Sequence, residues 1–112
     1  MMLNHHKVGD VTVAELNTPY LDGSNARAAE KMLTALVASG ERLVLDLGRT
    51  EWMDSSGCCT VITLLKRLKE HGGGLKLCSL TPPVRTLFQI ICLHKVVDIF
   101  NTQDEAVRAF AA

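Results

Sequence analysis

The sequence has no excess charge of either sign and no long apolar segment. Its 112 residues include twelve lysines and arginines and twelve aspartates and glutamates, so no overall field would draw it to nucleic acid or an acidic membrane. Apolar runs such as 43–47 are far shorter than the roughly 20 residues that span a bilayer, and residues 1–10 lack a signal peptide's apolar stretch. We therefore expect a cytoplasmic protein that neither binds nucleic acid nor inserts into a membrane.

The cysteines form no C-x-x-C pair, and two of them, Cys58 and Cys59, are adjacent in the chain. Adjacent cysteines seldom belong to a disulfide framework, so we expect reduced thiols that are mostly buried as small apolar side chains. Histidines could add metal ligands, but their spacing fits no zinc pattern; they are His5, His6, His71 and His94. We expect no bound metal and no cofactor.

Strand and helix patterns alternate along the chain. Residues 11–16 alternate as a strand that could pair with residues 3–8 across Gly9-Asp10. A helix capped by Ser24 or Asn25 and ending at Ser39-Gly40 follows, and after it a central strand over 42–47. The next predicted elements are a helix between Gly57 and Gly72, a strand over 75–80 and a helix from Pro82 toward Ile91. A strand over 96–100 and a last helix, capped by Asn101 or Thr102 and running through Ala111, complete the prediction.

This alternation predicts right-handed crossovers and an α/β layer fold, with the first hairpin adding an antiparallel edge. Hydrophobic residues make up 47% of the chain, which is enough for one core, and the length is typical of one domain. We expect a single domain over residues 1–112.

The motif Asp54-Ser-Ser-Gly57 lies just before a predicted helix. Asp54 and Ser55 are both residue types that cap helices, so one side chain can bind the free backbone donors while another hydroxyl faces solvent. Gly57 keeps the approach to that hydroxyl open. In isolation this motif is most often only a helix cap.

The motif's surroundings change that interpretation. An apolar strand ends in Asp-Leu, an apolar residue precedes D-S-S-G, a Gly-rich turn follows the helix, and a later helix carries a P-x-V-x-x-x-[LF] pattern; the corresponding segments are 43–47, Met53, 54–57, 72–74, and Pro83-Val84 with Leu87 and Phe88. This order resembles the STAS domain, and more closely the stand-alone bacterial anti-sigma factor antagonists. The resemblance implies a mixed, mostly parallel central sheet of four to five strands with about four helices packed on it.

The resemblance also implies a function. Members of this family are binding proteins rather than enzymes: they bind an anti-sigma factor with serine kinase activity and release a sigma factor. Phosphorylation of the hydroxyl residue before the glycine, here Ser56, switches binding off, and a serine phosphatase is the expected partner that reverses it. The resemblance places partner contacts at Asp22, Asp54, Ser55, Ser56 and Gly57.

The same residues raise several rival interpretations. Asp22 could belong to a plain turn with a helix cap. A serine hydrolase would require a G-x-S-x-G elbow with a histidine and an acid, and Ser56 lies in a different motif. Within the family, the chain could also be an accessory subunit of a lipid-transport ABC system or a scaffold in a stress-sensing assembly. The complete D-S-S-G motif favours the phosphorylation switch over both of these roles.

Overall fold

The computed structural model describes residues 2–37 and 41–111. The strands in this part of the chain are β1 (Leu3–Val8), β2 (Val11–Leu16), β3 (Tyr20–Leu21), β4 (Arg42–Asp46), β5 (Trp52–Met53), β6 (Gly74–Cys78) and β7 (Asp98–Phe100). The α-helices are α1 (Ala26–Leu36), α2 (Ser55–Glu70), α3 (Pro82–Ile90) and α4 (Gln103–Ala111), and a short 3-10 helix spans Leu93–Lys95. None of these helices is long and apolar enough to cross a membrane.

Five of the strands form one sheet in the order β1-β2-β4-β6-β7. β1 and β2 are an antiparallel hairpin in which Val8 lies opposite Val11, and Gly9 turns the chain with a φ of +63°, a conformation that glycine adopts without a steric penalty. The other neighbouring strands are parallel. The predicted mixed, mostly parallel sheet is therefore confirmed, with β4 at its centre as expected.

The centre of the sheet is apolar on both faces, as is typical of a parallel strand covered on both sides. Leu43 and Leu45 of β4 belong to a large core with α1, α2 and α3, to which Leu33, Leu64 and Phe88 contribute. Val44 faces the other way, into a smaller core that also contains Val11, Val13, Cys78 and Ala106. The sheet therefore separates α4 from the other three helices.

α4 is held to the sheet by polar contacts as well. Thr102 Oγ1 accepts the Glu105 N–H at 3.1 Å, and Glu105 Oε1 accepts the Thr102 N–H at 3.2 Å, which is a reciprocal capping box. Gln103 Nε2 donates to Glu15 Oε2 at 2.6 Å and to Asp46 Oδ2 at 2.7 Å. The predicted cap at Thr102 is confirmed. The side-chain amide of Gln103 hydrogen-bonds the start of α4 to both β2 and β4.

Several element boundaries differ from the sequence-based prediction. α2 begins at Ser55, so Ser56 and Gly57 lie inside its first turn rather than before it. β6 stops at Cys78 because Ser79 has a φ of +63°, which ends extended backbone. β7 begins only at Asp98 because the preceding residues form the 3-10 turn. The predicted helix stop at Ser39-Gly40 lies outside the described residues.

Candidate functional site

The first turn of α2 is capped by a carboxylate. Asp54 has extended backbone dihedrals, and its Oδ1 accepts the backbone N–H of Ser56 at 2.8 Å and of Gly57 at 3.3 Å. This satisfies two of the backbone donors that a helix start leaves without intrahelical partners. Of the two predicted capping residues, Asp54 and Ser55, Asp54 is the one that caps α2. Neither serine hydroxyl takes part in the cap.

Gly57 is required by close packing. A Cβ at this position would lie 2.7 Å from the Leu21 carbonyl oxygen and 2.9 Å from Met53 Cβ. Both distances are shorter than side-chain contacts normally allow, and one partner is backbone. Gly57 therefore lets the β3 segment lie directly against the start of α2.

The two shortest strands, β3 and β5, form a separate parallel ribbon in which Leu21 lies opposite Met53. The Asp54 N–H also donates to the Leu21 carbonyl at 3.2 Å. Since the carboxyl ends of parallel strands meet at the same edge, the loop that begins at Asp22 and the helix that begins at Ser55 start side by side. This ribbon brings together the two segments that the sequence assigned to the site.

Ser56 lies in a surface groove between α1 and α2. Its side chain is partly buried, whereas Ser55 is exposed, and its Oγ would be 3.7 Å from a Cβ built on Gly23. The groove is lined by Gly23, Ala26, Arg27, Glu30, Ser56, Cys59 and Thr60. In the part of the chain that the structure describes, neither serine hydroxyl takes part in a side-chain hydrogen bond. The Ser56 hydroxyl is therefore accessible and uncommitted.

Asp22 lies in the loop beside this groove. Its Oδ1 accepts hydrogen bonds from the Ser24 hydroxyl and from the Ser24 backbone N–H. Both bonds lower the pKa of Asp22, and the bond from the Ser24 hydroxyl has the larger effect. They do so because they stabilise the ionised carboxylate. The carboxylate is thus a fixed negative charge, turned to Ser24 in a local turn; its predicted contact with a partner stays a prediction.

Two polar residues that the sequence analysis did not assign to the site fix its geometry. The Asn25 side chain does not cap α1; its Oδ1 accepts the Asp22 N–H at 3.0 Å and its Nδ2 donates to the Tyr20 carbonyl at 2.7 Å. Thr60 Oγ1, which is buried, donates to the Ala26 carbonyl at 3.2 Å. Asn25 therefore holds the loop in shape, and Thr60 joins the start of α1 to α2.

All four cysteines are free thiols. Cys58 and Cys78 are buried, while Cys59 and Cys92 are exposed, so the expectation of mostly buried thiols holds for half of them. Burial raises the pKa of Cys58, and it raises that of Cys78 to about 12. Within residues 2–37 and 41–111, no group of three or more histidine, cysteine or acidic side chains is placed to hold a metal ion.

Residues 3–106 match the family model of the STAS domain. BtrV of Bordetella bronchiseptica, which is named provisionally as an anti-sigma factor antagonist, is 35% identical over 111 residues, covering 98% of this chain and 95% of BtrV. The anti-sigma-B factor antagonist of Bacillus subtilis is 32% identical over 88 residues, covering 79% of this chain and 81% of the relative.

The fold also matches solved structures. The crystal structure of an anti-sigma factor antagonist from Mycobacterium paratuberculosis superposes with a TM-score of 0.89 at 23% sequence identity, over 98% of this chain and 93% of the other. At this level of identity the likeness concerns the fold, and it agrees with the α/β architecture described above.

Proposed function

Because the chain belongs to the STAS domain family, we propose that it is an anti-sigma factor antagonist controlled by phosphorylation of Ser56. In this proposal the unmodified chain is one domain over residues 1–112 that binds an anti-sigma factor with serine kinase activity and so releases a sigma factor. The kinase phosphorylates Ser56 and ends the interaction, and a serine phosphatase restores it. The relatives named above support the antagonist assignment.

One observation carries the choice of Ser56. Its hydroxyl lies in a surface groove at the first turn of α2 and makes no hydrogen bond among the described residues, while Asp54 alone holds the backbone cap. Modification of this hydroxyl therefore removes no interaction that the fold uses. Ser55, although more exposed, lies outside the residues that line the groove.

The physical effect of a phosphate at this position is mainly on binding. A phosphoserine adds about 1.5 to 2 negative charges at neutral pH, and the start of a helix is the end where negative charge is tolerated. Asp22 and Asp54 already place carboxylates in the adjoining loop and cap. A partner surface complementary to the neutral serine would face this concentrated negative charge, and a penalty of about 3 kcal/mol weakens binding roughly a hundredfold.

The groove supports a binding role rather than catalysis by this chain. A serine nucleophile needs a base within hydrogen-bond reach. The residues lining this groove include no histidine or lysine, and among the described residues Ser56 Oγ makes no hydrogen bond to the one carboxylate that lines it, Glu30. In this proposal Ser56 is the substrate of the partner's kinase activity, and its neighbours, Asp22, Asp54, Ser55 and Gly57, form the surface that the partner contacts.

The experiment uses the wild-type chain, Ser56→Ala and Ser55→Ala, each combined with a purified anti-sigma factor kinase. Each variant is incubated with ATP, the modified residue is mapped by mass spectrometry, and complex formation is measured by calorimetry. We expect Ser56→Ala to fold, resist phosphorylation and bind constitutively, and Ser55→Ala to be phosphorylated at Ser56. Phosphate on Ser55, or modification of Ser56→Ala to the wild-type extent, would refute the assignment.

Ser56→Asp tests the charge mechanism separately. A carboxylate at the first turn of α2 is compatible with folding, so this variant should remain folded and bind the partner more weakly than wild type. Binding as tight as that of wild type would show that negative charge alone does not end the interaction.

A further inference from the structure

We infer that Arg27 is the internal binding partner of a phosphate on Ser56, so that the groove between α1 and α2 is a phosphoserine site within the chain itself. This inference rests on the proposed modification of Ser56. It assigns a role to a residue of α1 that the motif around Ser56 does not contain.

Arg27 is in the right place and is uncommitted. It is the second residue of α1, its side chain is exposed, and it lines the same groove as Ser56. The ion pairs found in residues 2–37 and 41–111 are made by Arg42, Lys76 and Arg108. The guanidinium of Arg27 is therefore not engaged by a carboxylate in the unmodified chain.

A phosphate on Ser56 needs hydrogen-bond donors other than the backbone N–H groups of Ser56 and Gly57. Asp54 Oδ1 already accepts the backbone N–H groups of Ser56 and Gly57, so these two donors are occupied. An arginine presents a planar set of N–H donors that fits two phosphate oxygens at once. The absence of a side chain at Gly23, beside Ser56 Oγ, leaves room for the added group.

The other charged groups around the groove oppose the phosphate. Glu30 lies three residues after Arg27 and lines the same groove. Asp22 and Asp54 lie in the adjoining loop and in the cap of α2, and the uncharged remainder of the α2 lining includes Cys59. Arg27 is thus the one cationic side chain among the groove-lining residues that the structure describes. Among the described residues Arg27 forms no ion pair with Glu30, and a dianionic phosphate attracts this cation more strongly than a single carboxylate does, since its charge is larger.

The consequence is that the phosphate is held against α1 instead of projecting freely into solvent. A partner then meets an ordered phosphate in the groove between α1 and α2. A carboxylate at position 56 is shorter and carries one charge, so it reproduces this state only in part.

The test uses the full chain with phosphoserine incorporated at position 56 during translation, which requires no kinase. The second pKa of the phosphate, about 6 in an exposed phosphoserine, is measured by ³¹P NMR titration in wild type and in Arg27→Gln. An exposed ion pair favours the dianion, so we expect the wild-type value to be lower than that of Arg27→Gln by about 0.2 to 0.7. The difference should shrink at about 1 M salt.

Lys31→Gln is the matched control, because Lys31 is an exposed cation on α1 that does not line the groove; its phosphate should titrate as in wild type. Glu30→Gln should lower the phosphate pKa below the wild-type value, since a like charge that lines the same groove is removed. Amide NMR spectra of each variant show that it is folded.

Equal phosphate pKa values in wild type and Arg27→Gln, or an equal rise in Lys31→Gln, would overturn the inference. Either result leaves the switch at Ser56 standing, because the phosphate is installed without the partner. Conversely, failure of the anti-sigma factor kinase to modify Ser56 would refute the proposed function while the titration still reports on Arg27.

Discussion

Gly57→Ala is the substitution that probes the site's packing most directly. The added methyl group would lie 2.7 Å from the Leu21 carbonyl oxygen, 2.9 Å from Met53 Cβ and 3.2 Å from Leu21 Cγ. The first partner is backbone and also accepts the Asp54 N–H, so it can move away only by weakening that hydrogen bond. The methyl group therefore has to push the β3–β5 ribbon away from α2.

Two effects of opposite sign set the size of the change. Overpacking a tightly packed position costs about 1 to 3 kcal/mol, whereas alanine is favoured over glycine by up to about 1 kcal/mol inside a helix and by less in its first turn. We expect a net loss of about 1 to 2 kcal/mol in the free energy of unfolding. For a domain of this size that corresponds to a fall in Tm of about 4 to 8 °C.

Urea unfolding followed by circular dichroism measures this loss, with Gly23→Ala as the matched control. A Cβ at Gly23 would meet only Ser56 Oγ, at an ordinary contact distance of 3.7 Å, so that variant should differ from wild type by less than about 0.5 kcal/mol. If Gly57→Ala is as stable as Gly23→Ala, the close approach of Leu21 to α2 is not a constraint on this position and the packing argument fails.

Three further predictions concern single groups. Asp54→Ala removes the cap of α2 and should lower the free energy of unfolding by about 1 kcal/mol in a urea titration, and no change would mean that other groups cap the helix. Cys59 should react rapidly with a thiol reagent in the native protein, whereas Cys78, buried and with a pKa of about 12, should react only on unfolding; equal rates would contradict its burial. Since Cys78 has a raised pKa, its contribution to stability is complete below the ordinary thiol pKa and is lost as pH rises toward 12. The carboxyl pKa of Asp22, followed by ¹³C NMR, should lie below its ordinary value and rise in Ser24→Ala, which removes the hydroxyl and keeps the backbone N–H bond. The associated stability is present above the unfolded pKa and lost as pH falls through the folded one. An unchanged pKa in the variant would show that the Ser24 hydroxyl is not the main cause of the lowered pKa.

Much of the fold could be predicted because its elements carry strong periodic patterns. The hairpin around Gly9 and the central strand β4 are alternating or continuous apolar segments, so the sequence pattern predicted both as strands and predicted the pairing of the hairpin. The ribbon of β3 and β5 was missed because two-residue strands are too short to show a period. The ribbon packs through Leu21 and Met53 against Gly57 of α2, and a contact with β3, distant in sequence, is information that no local segment contains.

In the candidate site, too, local interactions could be predicted from the sequence, whereas contacts between distant segments could not. The D-S-S-G motif correctly indicated a helix start with a capping carboxylate at Asp54, since capping is a local interaction. The predicted role of Asn25 was wrong in one respect, because its side chain binds the preceding loop instead of the helix donors that local capping rules assign to it. Arg27 carries no signal in the sequence; only the packing of α1 beside α2 places it in the groove with Ser56.

The placement of α4 alone on one face of the sheet affects how easily this helix unfolds locally in solution. This helix rests on the smaller core, with Ala106 as its fully buried residue, and on the amide of Gln103. Backbone amides protected by so little apolar contact exchange with solvent through local opening at lower free energy than those of a central strand such as β4. In deuterium exchange α4 should therefore label as a unit before the sheet does, while α1 and α2, which border the groove at Ser56 on the opposite face, keep their protection.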